Sequence, residues 1–222
     1  MSKIKNVLSP KSIIRVARTE YIKLITDPRI IIAGMLLIII QNMVVDPLIN
    51  RSVKLGEPLN IVEPFIAVCN STMLLLFIPS VFIILISDFP DINTHTLFII
   101  KRSGKTNWLF GQIGAVLFYI ITYLAVIFIA CCGFTSSHCF VGSEWSDTAT
   151  KYLSHFPQER DSFISEFLPT NLYNQMSLTE ALMHTVAFFI LNMLTIALVL
   201  ILFRILYFKM AGIFLVFIMI GG

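Results

Sequence analysis

Residues 86–108, ISDFPDINTHTLFIIKRSGKTNW, are a short polar interruption between two of the longest apolar runs in the chain. Residues 65–86 are 22 positions without a charge, and residues 108–134 are 27 more. An α-helix needs about 20 apolar residues to cross the hydrocarbon core of a bilayer. Each flank therefore reads as a membrane span, and the segment between them as a tight loop at one membrane face. That loop carries Asp88, Asp91, Lys101, Arg102 and Lys105. If a soluble partner passes force to the membrane part, this loop is where it would do so.

The composition agrees with lipid as the main solvent. Of the 222 residues, 57% are hydrophobic and only 13% charged, with a mean hydropathy of +0.86. Soluble proteins carry about 25% charged residues, so an ordinary soluble domain is excluded. Residues 1–29 hold seven basic residues against Glu20 and Asp27. Ser9-Pro10 reads as a helix start, with Ser9 capping and Pro10 in the first turn. At about 100° per residue, Ile13, Ile14, Ala17, Tyr21, Leu24 and Ile25 form one apolar stripe. Lys11, Arg15, Arg18 and Lys23 lie outside it, and Asp27-Pro28 ends the helix. A basic amphipathic helix just before a span is expected to lie in the membrane interface.

The remaining apolar runs complete an all-α expectation: a polytopic helical membrane protein with four complete transmembrane helices, a partial fifth and an N-terminal interfacial amphipathic helix. The spans are expected at about 30–49, 65–86, 108–134 and 183–203, with 210–222 too short to cross. The short last run suggests a chain that stops inside an element. Pro79 is expected to kink the second span, and Gly111 and Gly114 to permit close helix contact in the third. Between 135 and 182 lies the longest polar stretch, rich in acids, where Phe156, Phe163, Ile164, Phe167 and Leu168 suit short helices docked on the membrane surface. Twelve of the sixteen basic residues fall in the N-terminal segment, the 87–107 loop and the 204–209 turn. The positive-inside rule then puts those three segments in the cytoplasm and 135–182 outside, in a multi-pass plasma-membrane protein with a cytoplasmic N-terminus.

Motifs for chemistry are sparse. Gly104-Lys105-Thr106 resembles the end of a phosphate-binding loop, but the required earlier glycine position is Ile99 and a span follows, so it is rejected. No metalloprotease pair or hydrolase elbow occurs, and the chain is not expected to be an enzyme. His138, Cys139 and His155 match no established metal spacing. The four cysteines suit unpaired thiols, although a Cys132–Cys139 disulfide is possible. The apolar spans hold no Asp, Glu, Lys or Arg for an ion relay, so energy for any transport has to come from elsewhere. Nothing indicates a nucleic-acid partner.

The loop has its own pattern. Asn93 is placed to cap a short helix over Thr94 to Ile100, with Gly104 beyond its end. Leu97, Phe98, Ile99 and Ile100 are apolar side chains on a cytoplasmic loop, which either return to the interface or enter a partner's groove. Taken together, the elbow-like helix from Ser9 to Thr26, a first span ending near Asp46-Pro47, and Ile86-Ser87-Asp88-Phe89-Pro90-Asp91 leading through Arg102-Ser103-Gly104-Lys105 to Asn107-Trp108 resemble the permease subunit of the second export class of bacterial ATP-binding-cassette transporters. The resemblance covers nearly the whole chain as organisation, with four of the family's six spans complete and a longer outer loop. It implies a coupling helix seated in a separate cytoplasmic ATPase, with Asp88, Asp91, Leu97, Phe98, Ile99, Lys101, Arg102 and Lys105 as contact residues. ATP and Mg would be bound by that partner and no cofactor by this chain. The resemblance also implies a second permease subunit. A membrane sensor or immunity-type protein using its acidic outer loop to bind a ligand is the alternative. The substrate is not readable from these residues.

Overall fold

The computed structural model describes residues 8–92, 94–159 and 167–221. Among them the chain is all-α apart from one two-residue parallel ladder, β1 (Leu59–Asn60) with β2 (Cys139–Phe140). The helices are α1 (Pro10–Ile25), α2 (Ile30–Ile40), α3 (Asp46–Leu55), α4 (Glu63–Asn70), α5 (Thr72–Ile86), α6 (Thr94–Ser103), α7 (Lys105–Thr135), α8 (Asp147–His155), α9 (Thr170–Gln175), α10 (Leu178–Ile205) and α11 (Lys209–Gly221). Asn93, placed by the sequence as the α6 cap, lies outside the described residues, as do Phe163, Ile164, Lys3 and Lys5.

Among the described residues, three helices are long and apolar enough to cross a membrane: Ile30–Leu55, Lys105–Thr135 and Leu178–Ile205. At 26, 31 and 28 residues they measure about 39, 46 and 42 Å, against a hydrocarbon core of about 30 Å. The first outruns its expected end at 49. Asp46-Pro47 was read as its boundary, yet a π-helical turn over Gln41–Val45 carries the helix through. The Asp46 N–H reaches back five residues to the Gln41 carbonyl, which widens the turn where Pro47 has no N–H to give. The helix stops at Gly56, in the left-handed region at φ 80°.

The second expected span is not one straight helix. Helices α4 and α5 meet at an angle of 85°. The break is at Ser71, whose extended backbone (ψ 117°) leaves the helical ladder, while its hydroxyl accepts the Leu74 N–H at 3.5 Å. Pro79, where the kink was expected, lies inside α5 without ending it. Among the described residues of 135–182 the chain forms β2, α8, a 3₁₀ turn over Pro157–Glu159, α9 and the start of α10, with Phe167 and Leu168 buried and Phe156 against Tyr152, ring centroids 4.8 Å apart.

The chain divides into two compact units. One comprises residues 1–31, 79–123 and 192–222; the other comprises 32–78 and 124–191. In the first, the core is Val16, Ala17 and Leu24 of α1, Phe82 and Ile86 of α5, and Trp108, Ala115, Val116 and Tyr119 of α7. In the second it includes Leu36, Ile40 and Val44, Phe65 to Val68, Leu74, Tyr152 and Phe167.

Candidate functional site

The first unit gathers most of the residues singled out in the sequence. Helix α1 docks along α7 rather than standing free. An added Cβ at Gly111 would come within 2.6 Å of Val16 Cβ, and one at Gly114 within 3.3 Å of Ala17 Cβ. The two glycines thus serve a close contact, and its partner is α1. Tyr21 fixes the far half through a 2.7 Å hydrogen bond to Thr122 and an edge contact with Phe118. The expected apolar stripe is rotated in consequence. Val16, Ala17, Glu20 and Leu24 are buried, and Ile14 is 65% exposed. Buried Glu20 accepts from Lys23 at 3.0 Å.

Ser9 occupies the N-cap position of α1, but its side chain makes no capping bond. Its N–H instead donates to Asn107 Oδ1 at 3.0 Å, and Asn107 Nδ2 donates to the Ser103 carbonyl at 2.7 Å. One amide therefore ties the start of α1 to the α6–α7 junction. Trp108, expected at the interface, is 6% exposed, and its Nε1 has no partner among the described residues. Gln112 Oε1, one turn on, is likewise without one.

Asp88 sits between two cations. Its Oδ2 accepts from Arg29 and its Oδ1 from Lys209. Arg29 also donates to Ser87 Oγ at 3.0 Å and lies 3.9 Å from Asp27. The Lys209 ammonium, then the Arg29 guanidinium, hold the Asp88 carboxyl down at about 2. Asp88 therefore joins three segments of its own chain: the α1–α2 junction, the α5–α6 loop and the start of α11. Both carboxylate oxygens of Asp88, one of the residues expected to contact a partner, are engaged within this chain, and its side chain is 45% exposed.

Helix α6 runs Thr94–Ser103, three residues beyond its expected end at Ile100, until Gly104 at φ 85° stops it, its N–H returning to Ile100 O at 2.9 Å. Thr96 is buried and donates to the Asp91 carbonyl at 2.6 Å. Leu97 and Phe98 are 55% and 66% exposed. At 100° per residue, Leu97, Lys101, Phe98 and Arg102 share an arc of about 140°, and all four are exposed. Ile99 and Ile100 are half-buried on the other side, so Ile99, alone of the expected contact residues on α6, does not share the exposed face. Lys105, which opens α7, and Asp91 are exposed. Lys101, Arg102 and Lys105 form no ion pair among the described residues. Gly104-Lys105-Thr106 spans a helix–helix junction with no strand before it.

The second unit holds a buried carboxylate, Glu63, at the start of α4. Glu63 is fully buried and accepts three hydrogen bonds: from the Asn60 N–H (3.1 Å), the Ser146 N–H (2.6 Å) and the Ser146 hydroxyl (2.7 Å). Ser146 Oγ also accepts the Ala149 N–H, capping α8. Asn60 Nδ2 donates to the Gly142 and Glu144 carbonyls at 2.8 and 3.0 Å. Lys54 pairs with Glu159 at 2.9 Å, and Arg51 lies 4.8 Å from the Tyr152 ring centre. These contacts lock 51–63 to 139–159. They form a structural knot rather than a reactive centre, since the buried carboxylate is fully engaged. Its sequence signal was an acid beside Pro64 and three after Asn60, too weak to separate from an ordinary helix start. Among the described residues no three His, Cys, Asp or Glu side chains come together for a metal, and all four cysteines are free thiols.

No family model matches the chain, and no curated protein or solved structure does.

Proposed function

We propose that this chain is the membrane-spanning permease subunit of an ATP-driven exporter, moved by a separate cytoplasmic ATPase through α6. The observation that carries this reading is the exposed face of α6. Leu97 and Phe98 project where burial would be expected, flanked by Lys101 and Arg102, which form no ion pair among the described residues. An apolar pair rimmed by charge suits insertion into a protein groove. Helix α6 is also held as a lever should be. Asn107 ties its end to α1, and Asp88 ties the loop before it to Arg29 and Lys209.

In this reading the chain crosses the membrane four times, with the bent α4–α5 pair as the second span and α11 as part of a fifth. The three basic segments assigned to the cytoplasm by charge are those that meet around Asp88, which supports their sharing one face. The Glu63 and Lys54 contacts likewise support a shared outer face for 50–64 and 135–182. Two such permeases and two ATPases make the working assembly. Closure of the ATPases on ATP pushes α6, and with it α1 and the head of α7. The test is affinity purification from native membranes in mild detergent, with and without Leu97→Asp and Phe98→Asp. A stoichiometric ATP-binding-cassette protein that is lost in the variants is the expected result. No such protein, or full retention in the variants, overturns the proposal.

A further inference from the structure

We propose that the groove between α1 and α6 binds a phosphate group, carried on an anionic lipid headgroup or free in solution. A cavity of about 310 Å³ opens there, lined by Lys11 and Arg15 of α1 and Arg102 of α6, over an apolar floor that includes Val16 and Ile99. That volume is at the small end of the range for ligand sites. None of the three cations has an acidic partner among the described residues. One acid also lines the cavity, Glu20, but it is 3% exposed and already neutralised by Lys23. The groove therefore has an uncompensated positive charge contributed by two separate helices.

The hydroxyls sort the same way. Thr19 and Ser103, which also line the groove, spend their protons on the carbonyls of Arg15 and Ile99. The Ser9 and Ser12 hydroxyls, also in the lining, make no hydrogen bond among the described residues and remain as donors. Two guanidinium forks, one ammonium and two hydroxyl donors around an apolar floor match a tetrahedral oxyanion with an attached alkyl or glyceryl stem. Arginine forks favour phosphate through paired, charge-assisted hydrogen bonds, and basic pockets at the membrane surface take phospholipid headgroups. Because Arg15 and Arg102 lie on different helices, a bound phosphate clamps α6 to α1. This site needs no ATPase partner to bind its ligand, although it shares Arg102 with the face proposed to meet the ATPase.

The test uses the full chain purified in mild detergent, with thermal unfolding as the readout. The probes are phosphatidic acid in mixed micelles, phosphatidylcholine as the neutral lipid, and inorganic phosphate against chloride at equal ionic strength. Ligand that binds only the folded state raises the midpoint saturably. The proposal expects a saturable rise with phosphatidic acid or phosphate and none with phosphatidylcholine. The rise is lost in Lys11→Gln/Arg15→Gln/Arg102→Gln and kept in Arg18→Gln/Lys101→Gln/Lys105→Gln, which removes equal charge outside the groove. A response to phosphatidic acid alone assigns the phosphate to lipid, and one of equal size with inorganic phosphate assigns it to the free ion. Retention in the first triple variant, equal loss in both, or no rise with either probe overturns the proposal. Should the first triple variant fail to fold, Arg15→Lys/Arg102→Lys decides. It keeps charge but loses both forks, so apparent affinity should fall at least fivefold, and an unchanged affinity overturns the site.

Discussion

Asp88 is the residue on which the first unit turns, because one carboxylate holds two cations that lie 59 and 121 positions away in the chain. Its carboxyl is held at about 2 against an ordinary 3.8. A depressed carboxylate contributes its stability above the ordinary value and loses it as pH falls through the folded one. Asp88→Asn should therefore cost stability at pH 7, with the deficit shrinking as pH falls from about 4 towards 2. The Asp88 side chain is 45% exposed, which limits the effect to about 1 kcal/mol. Unfolding midpoints of the two proteins across that range check it, and a deficit that stays constant with pH contradicts it. Glu63 should matter more. Glu63→Ala strands two N–H donors and a hydroxyl in a buried site, at a cost of about 3 kcal/mol or more, whereas the same change at Glu159, which pairs with Lys54 at the surface, should cost far less. Equal losses in the two variants would contradict the knot. Neither role was readable from sequence. Asp88 stands out through its loop, but no local spacing joins it to Arg29 or Lys209, so those internal partners are not legible in the sequence. Glu63 drew none, because its donors come from Ser146.

At the level of helices the apolar runs were sufficient, and the breaks were not. Helices α7 and α10 follow from uninterrupted apolar sequence, and α1 from Ser9-Pro10 and its basic face. The π turn before Pro47 and the bend at Ser71 depend on how neighbouring segments take up freed backbone groups, which periodicity does not encode. The buried face of α1 lies about a fifth of a turn from the expected stripe for a similar reason. Gly111 removes the Cβ that would exclude Val16, and so chooses which face is buried. Gly111→Ala should destabilise the protein by about 1–3 kcal/mol through overpacking. Val16→Ala in the same chain should recover part of that, a coupling that a double-mutant cycle measures. Additive losses would mean that the two residues do not meet. Gln112→Leu should be neutral or stabilising, because it removes a buried acceptor that has no partner among the described residues; a loss above about 1 kcal/mol would show that Gln112 is engaged.

For the molecule as a whole, the proposed reading is of a membrane protein driven by a separate ATPase through α6. The absence of charged residues from the apolar runs argues against ion coupling. The exposed α6 face, with α1 and α7 tied behind it, is where a soluble ATPase would act. The measurement to make is site-specific photocrosslinking at Phe98 in intact membranes, followed by identification of the captured protein and comparison with the same probe at Met183, which is exposed on α10. The account predicts a single ATP-binding-cassette protein crosslinked at Phe98 and not at Met183. Capture of lipid alone at Phe98, or of the same protein equally at both positions, would contradict it.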